Sequence, residues 1–566
     1  MKKFRDLEYV RPNIEEVLKV LDEKIEAFKN ANSYEEMKEA YFSFEEAMSH
    51  FSTISTIASI RADMNTADEF YKGEEEFYNE SFFKIVLKEK ELSELLVASK
   101  FKDEFKKEYG DQILKDIEAN IKLNSPEIEE ESVKIAKLVS SYSRKVAECK
   151  TVFRGEECNF YGLLKHMLDN DRNIRKEAMH AWSDLYASVA DELDDIYKEL
   201  CELRRSQADK LGFDNYIDMA YLNMNRYDYG PKEVEKFRDA VKKYIVPLAN
   251  ELHEAQKERL GIDKLRYYDE NLYFKEGNPE PNKTMQEMVD AAQKTYSELS
   301  KETKEYFDFM VEYELYDLET RPNKHMGGYC TSLPDYKAPF IYSNFNGTSA
   351  DMQVLTHEAG HAFEGFMASR NQPLMSYYWS TSDINEIHSM AMEFFTDKWY
   401  GLFYEGNDGD RYRYEHLVES ICNIPYLVSV DEFQHRVFEG GEKSKEDLRK
   451  IWKEIEEKYM PWRDYDGDEF LEGGAFWMQK QHIFMYPFYY VDYALAMLCA
   501  LQFFVRMQSD FDGAWQDYLH LCKLGGSKGY NELLKEANLG SPFEEKTIEN
   551  VIETVTAVLK DLEEKL

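Results

Sequence analysis

"LTHEAGHAFEGF", residues 355–366, places two histidines four positions apart with a glutamate directly after the first. On a helix, residues four apart share a face, so His357 and His361 can present both imidazoles to one ion. Glu358, offset by one position, can then reach a water at that ion. The competing reading is a solvated surface helix that carries two polar residues. The remainder of the chain has to decide between them.

A catalytic zinc site needs a third protein ligand and one open position. Downstream runs "STSDINEIHSMAMEFFTDKWYG", residues 380–401. Ser382 or Asp383 can cap a helix whose apolar face holds Ile384, Ile387, Ala391, Phe394, Phe395 and Trp399. Glu386, Glu393 and Asp397 form an acidic stripe opposite, at i, i+7 and i+11. Three acids beside so apolar a face call for a cation. Glu386 is the expected third ligand. Glu393 is expected to orient a ligand histidine, while a plain solvated acidic face stays open for Glu393 and Asp397. His388, two residues from Glu386, is expected to point elsewhere.

The surroundings suit an enzyme. The chain has 566 residues, 43% hydrophobic and 32% charged, which describes an ordinary globular protein with room for several subdomains around a cleft. Its 110 acidic against 71 basic residues give a formal charge of -39. Such a chain repels phosphate backbones and anionic membrane surfaces, so neither nucleic acid nor membrane is an expected partner. Seven cysteines, an odd number without C-x-x-C, read as reduced thiols of a cytoplasmic protein. The start, "MKKFRDLEYVRPN", shows no apolar run of a secretory signal. The apolar run at 483–505 contains Pro487, Asp492 and four tyrosines. It is expected to be a buried segment rather than a membrane span.

Helical periodicity dominates. In "PNIEEVLKVLDEKIEAFKN" (12–30), Ile14, Val17, Leu18, Leu21, Ile25 and Phe28 fall on one face, and Asn13 with Glu16 supplies a capping signal. Similar stretches cover 34–108 and 127–147, and another closes near Gly212. Strand signals are confined to "RYYDENLYF" (266–274) and "APFIYSNFNGT" (338–348), with "HMGGYCTSLPDY" (325–336) as a turn-rich connection. The expected architecture is mostly α, with a small β-sheet next to the HExxH helix. A break near 150 would separate an N-terminal helical region, 1–150, from a catalytic region, 151–566.

The motif pair resembles the thimet-oligopeptidase family of zinc metallopeptidases, and specifically its oligoendopeptidase F and Pz-peptidase branch. "APFIYSNFNGTSADMQVLTHEAGHAFEGF" is similar to that branch throughout, and the likeness extends more loosely from 153–178 to about residue 530. One position departs from the thermolysin pattern: Met390 stands where an aspartate commonly lies four after the ligand glutamate.

The resemblance implies a two-lobed multi-helix oligopeptidase fold around a deep substrate channel, with residues 1–150 as lid or channel wall. It also implies roles for the stretch "KQHIFMYPFYYVDYALA" (480–496). His482, Tyr486 and Tyr493 would contact substrate and the developing oxyanion. "IFM" replaces the glycines that thimet-type members carry after the histidine. Tyr486 and Tyr493, seven apart, could face one cavity if the chain beyond Pro487 is helical. A tyrosine-rich core helix is the plainer reading. The strand "FIYSNF" is expected to offer a sheet edge to an extended peptide, against ordinary sheet pairing. Cys330, in "GGYC", is a candidate for thiol sensitivity near the cleft, with an ordinary structural cysteine as the favoured reading.

The expected function is a metalloendopeptidase with one Zn2+ per chain, cutting internal bonds of short unstructured peptides in the cytoplasm. Glu358 is the base. A peptidyl-dipeptidase or carboxypeptidase on the same site is the alternative; it would need a cationic anchor for the substrate's C-terminus, and none is marked. A catalytically dead helical binding protein is a further one.

Overall fold

The computed structural model describes all 566 residues. Helices carry the chain, as the periodicity predicts. The first, Ile14–Lys29, starts where the Asn13 side chain accepts hydrogen bonds from the backbone N–H groups of Glu15 and Glu16. It buries Leu21, Ile25 and Phe28, three of the expected apolar positions. Five strands interrupt the helices: β1 (Thr151–Phe153), β2 (Glu156–Cys158), β3 (Tyr316–Glu319), β4 (Tyr329–Leu333) and β5 (Ala338–Phe345). No helix is long and apolar enough to cross a membrane. No disulfide joins the seven cysteines.

The chain passes repeatedly between two compact units. The first comprises Met1–Ile121, Glu280–Gly409 and Gln502–Leu539. Its N-terminal helices bury Phe44, Ile85, Leu96 and Phe105 in one core that also takes in Leu374 and Tyr377. The three-stranded sheet of this unit runs β3-β5-β4, parallel on one side and antiparallel on the other. β5 packs on the helix Ser349–Asn371, which contains the HExxH sequence. The expected sheet beside that helix is therefore present.

Three local expectations are overturned. "FIYSNF" lies within β5, the central strand, whose register pairs Ile341 with both Tyr316 and Cys330. Its backbone groups are used by neighbours on both sides, so it is no edge for a peptide; β3 and β4 are the outer strands. β4 itself falls in the stretch read as a turn-rich connection.

The third concerns 266–274 in the second unit, which comprises Lys122–Pro279, Asp410–Leu501 and Gly540–Leu566. That stretch forms a 3₁₀ turn at Tyr267–Asp269 instead of a strand. The buried Asp269 carboxylate accepts from Arg175 at 2.6 Å, from Arg172 at 2.8 Å and from the Arg266 backbone N–H at 3.1 Å. The Gln256 amide donates to the carbonyls of Asp269, Glu270 and Leu272. Side chains thus satisfy the backbone that a strand partner would have paired. The run at 483–505 is largely buried as expected, with Ile483, Phe484, Phe488, Val491 and Leu495 fully enclosed and Tyr486 as the exposed exception.

Candidate metal centre

The HExxH helix begins after a turn in which Asp351 accepts from the backbone N–H groups of Asn346 and Gly347. It is followed, after a loop, by the helix Ser382–Phe395, which carries Glu386. That loop is anchored at Tyr377, whose hydroxyl accepts from the Ile113 backbone N–H at 3.2 Å and donates to the Tyr109 carbonyl at 3.0 Å. The residue before the second helix is Thr381, so Ser382 and Asp383 are its first turn rather than its cap.

The two helices approach through Gly360. A Cβ added there would meet the Cα of Ser389 at 2.6 Å and the carbonyl oxygen of His388 at 2.7 Å. Only a residue without a side chain allows the backbones that close. The crossing point lies one residue before His361 and three after Glu386, which sets the donors facing each other.

His357 Nε2 lies 3.4 Å and His361 Nε2 3.7 Å from Glu386 Oε2. One ligand atom from each residue falls within 4.8 Å of the others. Donors bound about 2.0–2.2 Å from one tetrahedral ion sit roughly 3.4 Å apart, so this set fits a small divalent cation. Glu393 Oε1 accepts from His357 Nδ1 at 2.7 Å, which turns the Nε2 lone pair toward the site. The Ser389 hydroxyl donates to Glu386 Oε2 at 3.2 Å. The Tyr400 hydroxyl donates to the Glu393 carbonyl at 2.8 Å.

Electrostatics agree with the geometry. Burial pulls the His357 imidazole down, but hydrogen bonds to Glu386 and Glu393 outweigh it and hold the ring well above its ordinary range. A cation is favoured between these carboxylates. Burial lowers His361 to about 4, leaving a neutral imidazole of the kind metals bind. Burial likewise pushes Glu358 up to about 7, helped by the carboxylates of Glu386 and Glu393. That value suits a group that takes and returns protons near neutral pH.

The other sequence candidates fall as follows. His388 points away, as expected: it is fully buried, with Nε2 3.4 Å from Glu364 and Nδ1 3.3 Å from the Cys522 sulfur. Asp397 lies past the end of the helix, in the 3₁₀ turn Asp397–Leu402. Cys330 sits on β4, and burial with the charges of Glu358 and Glu364 pushes its thiol well up, which keeps it protonated. Ser389 and Gly360 were not singled out by sequence; the small residue inside HExxH was the available signal for the latter.

In the second unit, His482, Tyr486 and Tyr493 share one aromatic cluster. The His482 ring lies 6.0 Å from Tyr486 and 6.2 Å from Tyr493, centroid to centroid, with Tyr489 and Tyr490 between. The chain beyond Pro487 is helical only from Val491 on, so Tyr486 lies outside the helix that carries Tyr493. Gln481–Met485 and Val491–Met507 are helical, whereas the chain between them turns through Phe488 at φ 65°. Buried arginines hold this turn: Arg204 donates to the Phe484 carbonyl and Arg226 to the Phe488 carbonyl and to Asp492. Tyr486 stays 54% exposed, free to meet a ligand.

Comparison with known proteins agrees with this reading. Peptidase family M3 matches residues 165–552, and the peptidase M3 N-terminal domain matches residues 4–124. An oligoendopeptidase F homolog of Borreliella burgdorferi is 23% identical over 80% of this chain and 81% of its own. Oligopeptidase PepF of Bacillus subtilis is 22% identical over 95% of this chain and 81% of its own. The structure of Pz-peptidase A with an inhibitor superposes with a TM-score of 0.91, at 41% identity over 99% of both chains. Oligoendopeptidase F of Enterococcus faecium shares the fold at a TM-score of 0.63 and 16% identity, over 97% of this chain and 98% of its own. The chain belongs to peptidase family M3, on the branch of oligoendopeptidase F and Pz-peptidase, and is a peptidase of mostly helical fold.

Proposed function

We propose that this chain is a zinc-dependent endopeptidase that cuts internal bonds of short, unstructured peptides in the cytoplasm. The observation that carries the proposal is the meeting of His357, His361 and Glu386 donor atoms within 4.8 Å. Two imidazoles and one carboxylate are the donor set of hydrolytic zinc sites. When bound, zinc supplies Lewis acidity that lowers the pKa of water and polarises the scissile carbonyl.

His357, His361 and Glu386 hold the ion, and Glu393 keeps His357 oriented. Glu358 takes the proton from the attacking water and passes it to the leaving amine. Tyr493, with His482 or Tyr486, donates to the oxygen on which negative charge develops. The peptide class follows from the oligopeptidase relatives, and the cytoplasm from the reduced-thiol reading of the seven cysteines. No nucleic acid or membrane partner is proposed.

The test compares wild type with Glu358→Gln on an internally quenched peptide blocked at both ends, with metal content measured on each. The variant is expected to keep its zinc and turn over at least about 100-fold more slowly. Equal turnover would remove Glu358 from the mechanism, and cleavage only of unblocked peptides would replace the endopeptidase by an exopeptidase.

A further inference from the structure

The second unit holds a cavity of about 370 Å³ that the mechanism above does not use. Buried rings form much of its wall: Tyr142, Phe160, Trp182 and Tyr186, from three separate stretches of chain. These rings are locked by one another. Phe160 stacks on Tyr186 at 4.0 Å, and Trp182 meets Tyr186 edge-on at 4.8 Å. The walls are therefore preformed, which spares a ligand the cost of ordering them.

Charge narrows the occupant. Although 110 of the 566 residues are acidic, no carboxylate lines this cavity. Its one side chain of fixed charge is Lys480, whose ammonium sits over the Tyr490 ring at 4.7 Å. A lysine or arginine side chain would find no counter-charge here, whereas an aromatic ring would find faces and edges to pack against. His482, the proposed substrate contact, is part of the same wall. That continuity ties the cavity to the peptide rather than to an unrelated small molecule.

We propose that this cavity is a specificity pocket for one large apolar side chain of the peptide substrate, aromatic in preference to aliphatic. The assignment rests on the oligopeptidase reading above. The volume is enough for an indole or phenyl group with part of its backbone, in the size range of preformed ligand sites. Tyr161, 68% exposed, stands at its border.

The test uses blocked, internally quenched peptides that are alike except for Ala, Leu, Phe, Trp or Lys scanned through each position. Wild type is expected to favour Phe over Ala at one position by about tenfold or more in kcat/KM, with no gain for Lys. Ala147→Trp, a solvent-facing position on the cavity wall, should fill the pocket and bring the Phe-to-Ala ratio at that position near one. Tyr161→Ala, exposed enough to leave folding intact, should lower the same ratio. Wild type without aromatic preference at any position, or an unchanged ratio in both variants, would overturn the pocket. Wild type that cuts none of the peptides would overturn the oligopeptidase reading, and the pocket with it.

Discussion

Gly360 and Ser389 touch backbone to backbone: a methyl group on the glycine would lie 2.6 Å from the serine Cα. Neither residue donates to a metal, yet their contact sets the separation between the helix of His357 and His361 and the helix of Glu386. Gly360→Ala is expected to force the helices apart and to cost about 1–3 kcal/mol, the usual range for overpacking. Chemical unfolding with parallel zinc analysis checks this. Loss of zinc with little loss of stability would show the helices yielding at the donors, and unchanged values for both would refute the contact.

Glu393 acts through His357. Its carboxylate fixes the ring by a 2.7 Å hydrogen bond to Nδ1. Glu393→Gln should weaken zinc affinity about 10- to 100-fold, measured by competition with a chelator. Activity at saturating zinc should fall less than it does in Glu358→Gln. An affinity equal to wild type would make Glu393 a bystander.

The ligand spacing was legible because it depends on a single helix: His357, Glu358 and His361 need only a 3.6-residue repeat. Glu386 was reachable because a catalytic ion needs one more donor. Gly360 was not, since its role exists only opposite Ser389, a residue 29 positions away. The misread at 266–274 has a similar origin. Tyr268, Leu272, Tyr273 and Phe274 do sit inside, but Asp269 and Gln256 satisfy the backbone in place of a neighbouring strand. β5 was recognised as a strand, whereas its central place depends on β3 and β4, whose short segments carry little pattern. His482, Tyr486 and Tyr493 do cluster, though by a turn at Phe488 that their seven-residue spacing did not suggest.

In the mechanism proposed above, Tyr493 is a donor to the developing oxyanion. Tyr493→Phe keeps the ring packing with His482 and Tyr489 while removing the hydroxyl. A fall in kcat of about 10²- to 10³-fold with little change in KM is expected. Steady-state kinetics on the quenched peptide decide it; a change confined to KM would move the hydroxyl from the transition state to ground-state binding.

Glu364 makes stability depend on pH. It is fully buried, and burial pushes its carboxyl from the ordinary 4.5 up to about 8. Between those values the folded protein holds a proton that the unfolded chain has released. Stability from this group is therefore complete below about pH 4.5 and is lost as pH rises toward 8, by up to about 1.4 kcal/mol per pH unit. Glu364→Gln cannot titrate. Urea unfolding at pH 5 to 8 should show the variant gaining on wild type steadily with pH, whereas parallel pH profiles would contradict the burial argument.

The turn between Tyr486 and the helix of Tyr493 hangs from Arg226, which with Asp492 is withdrawn from water to 1% exposure. Breaking such an attachment strands a charge in a medium of low polarity, a penalty too large for casual fluctuation. Amide hydrogens of this turn should thus exchange with solvent only when the surrounding helices open as well. On the proposed mechanism, a peptide would meet a backbone turn already standing in position, and no part of its binding energy would be diverted to assembling it.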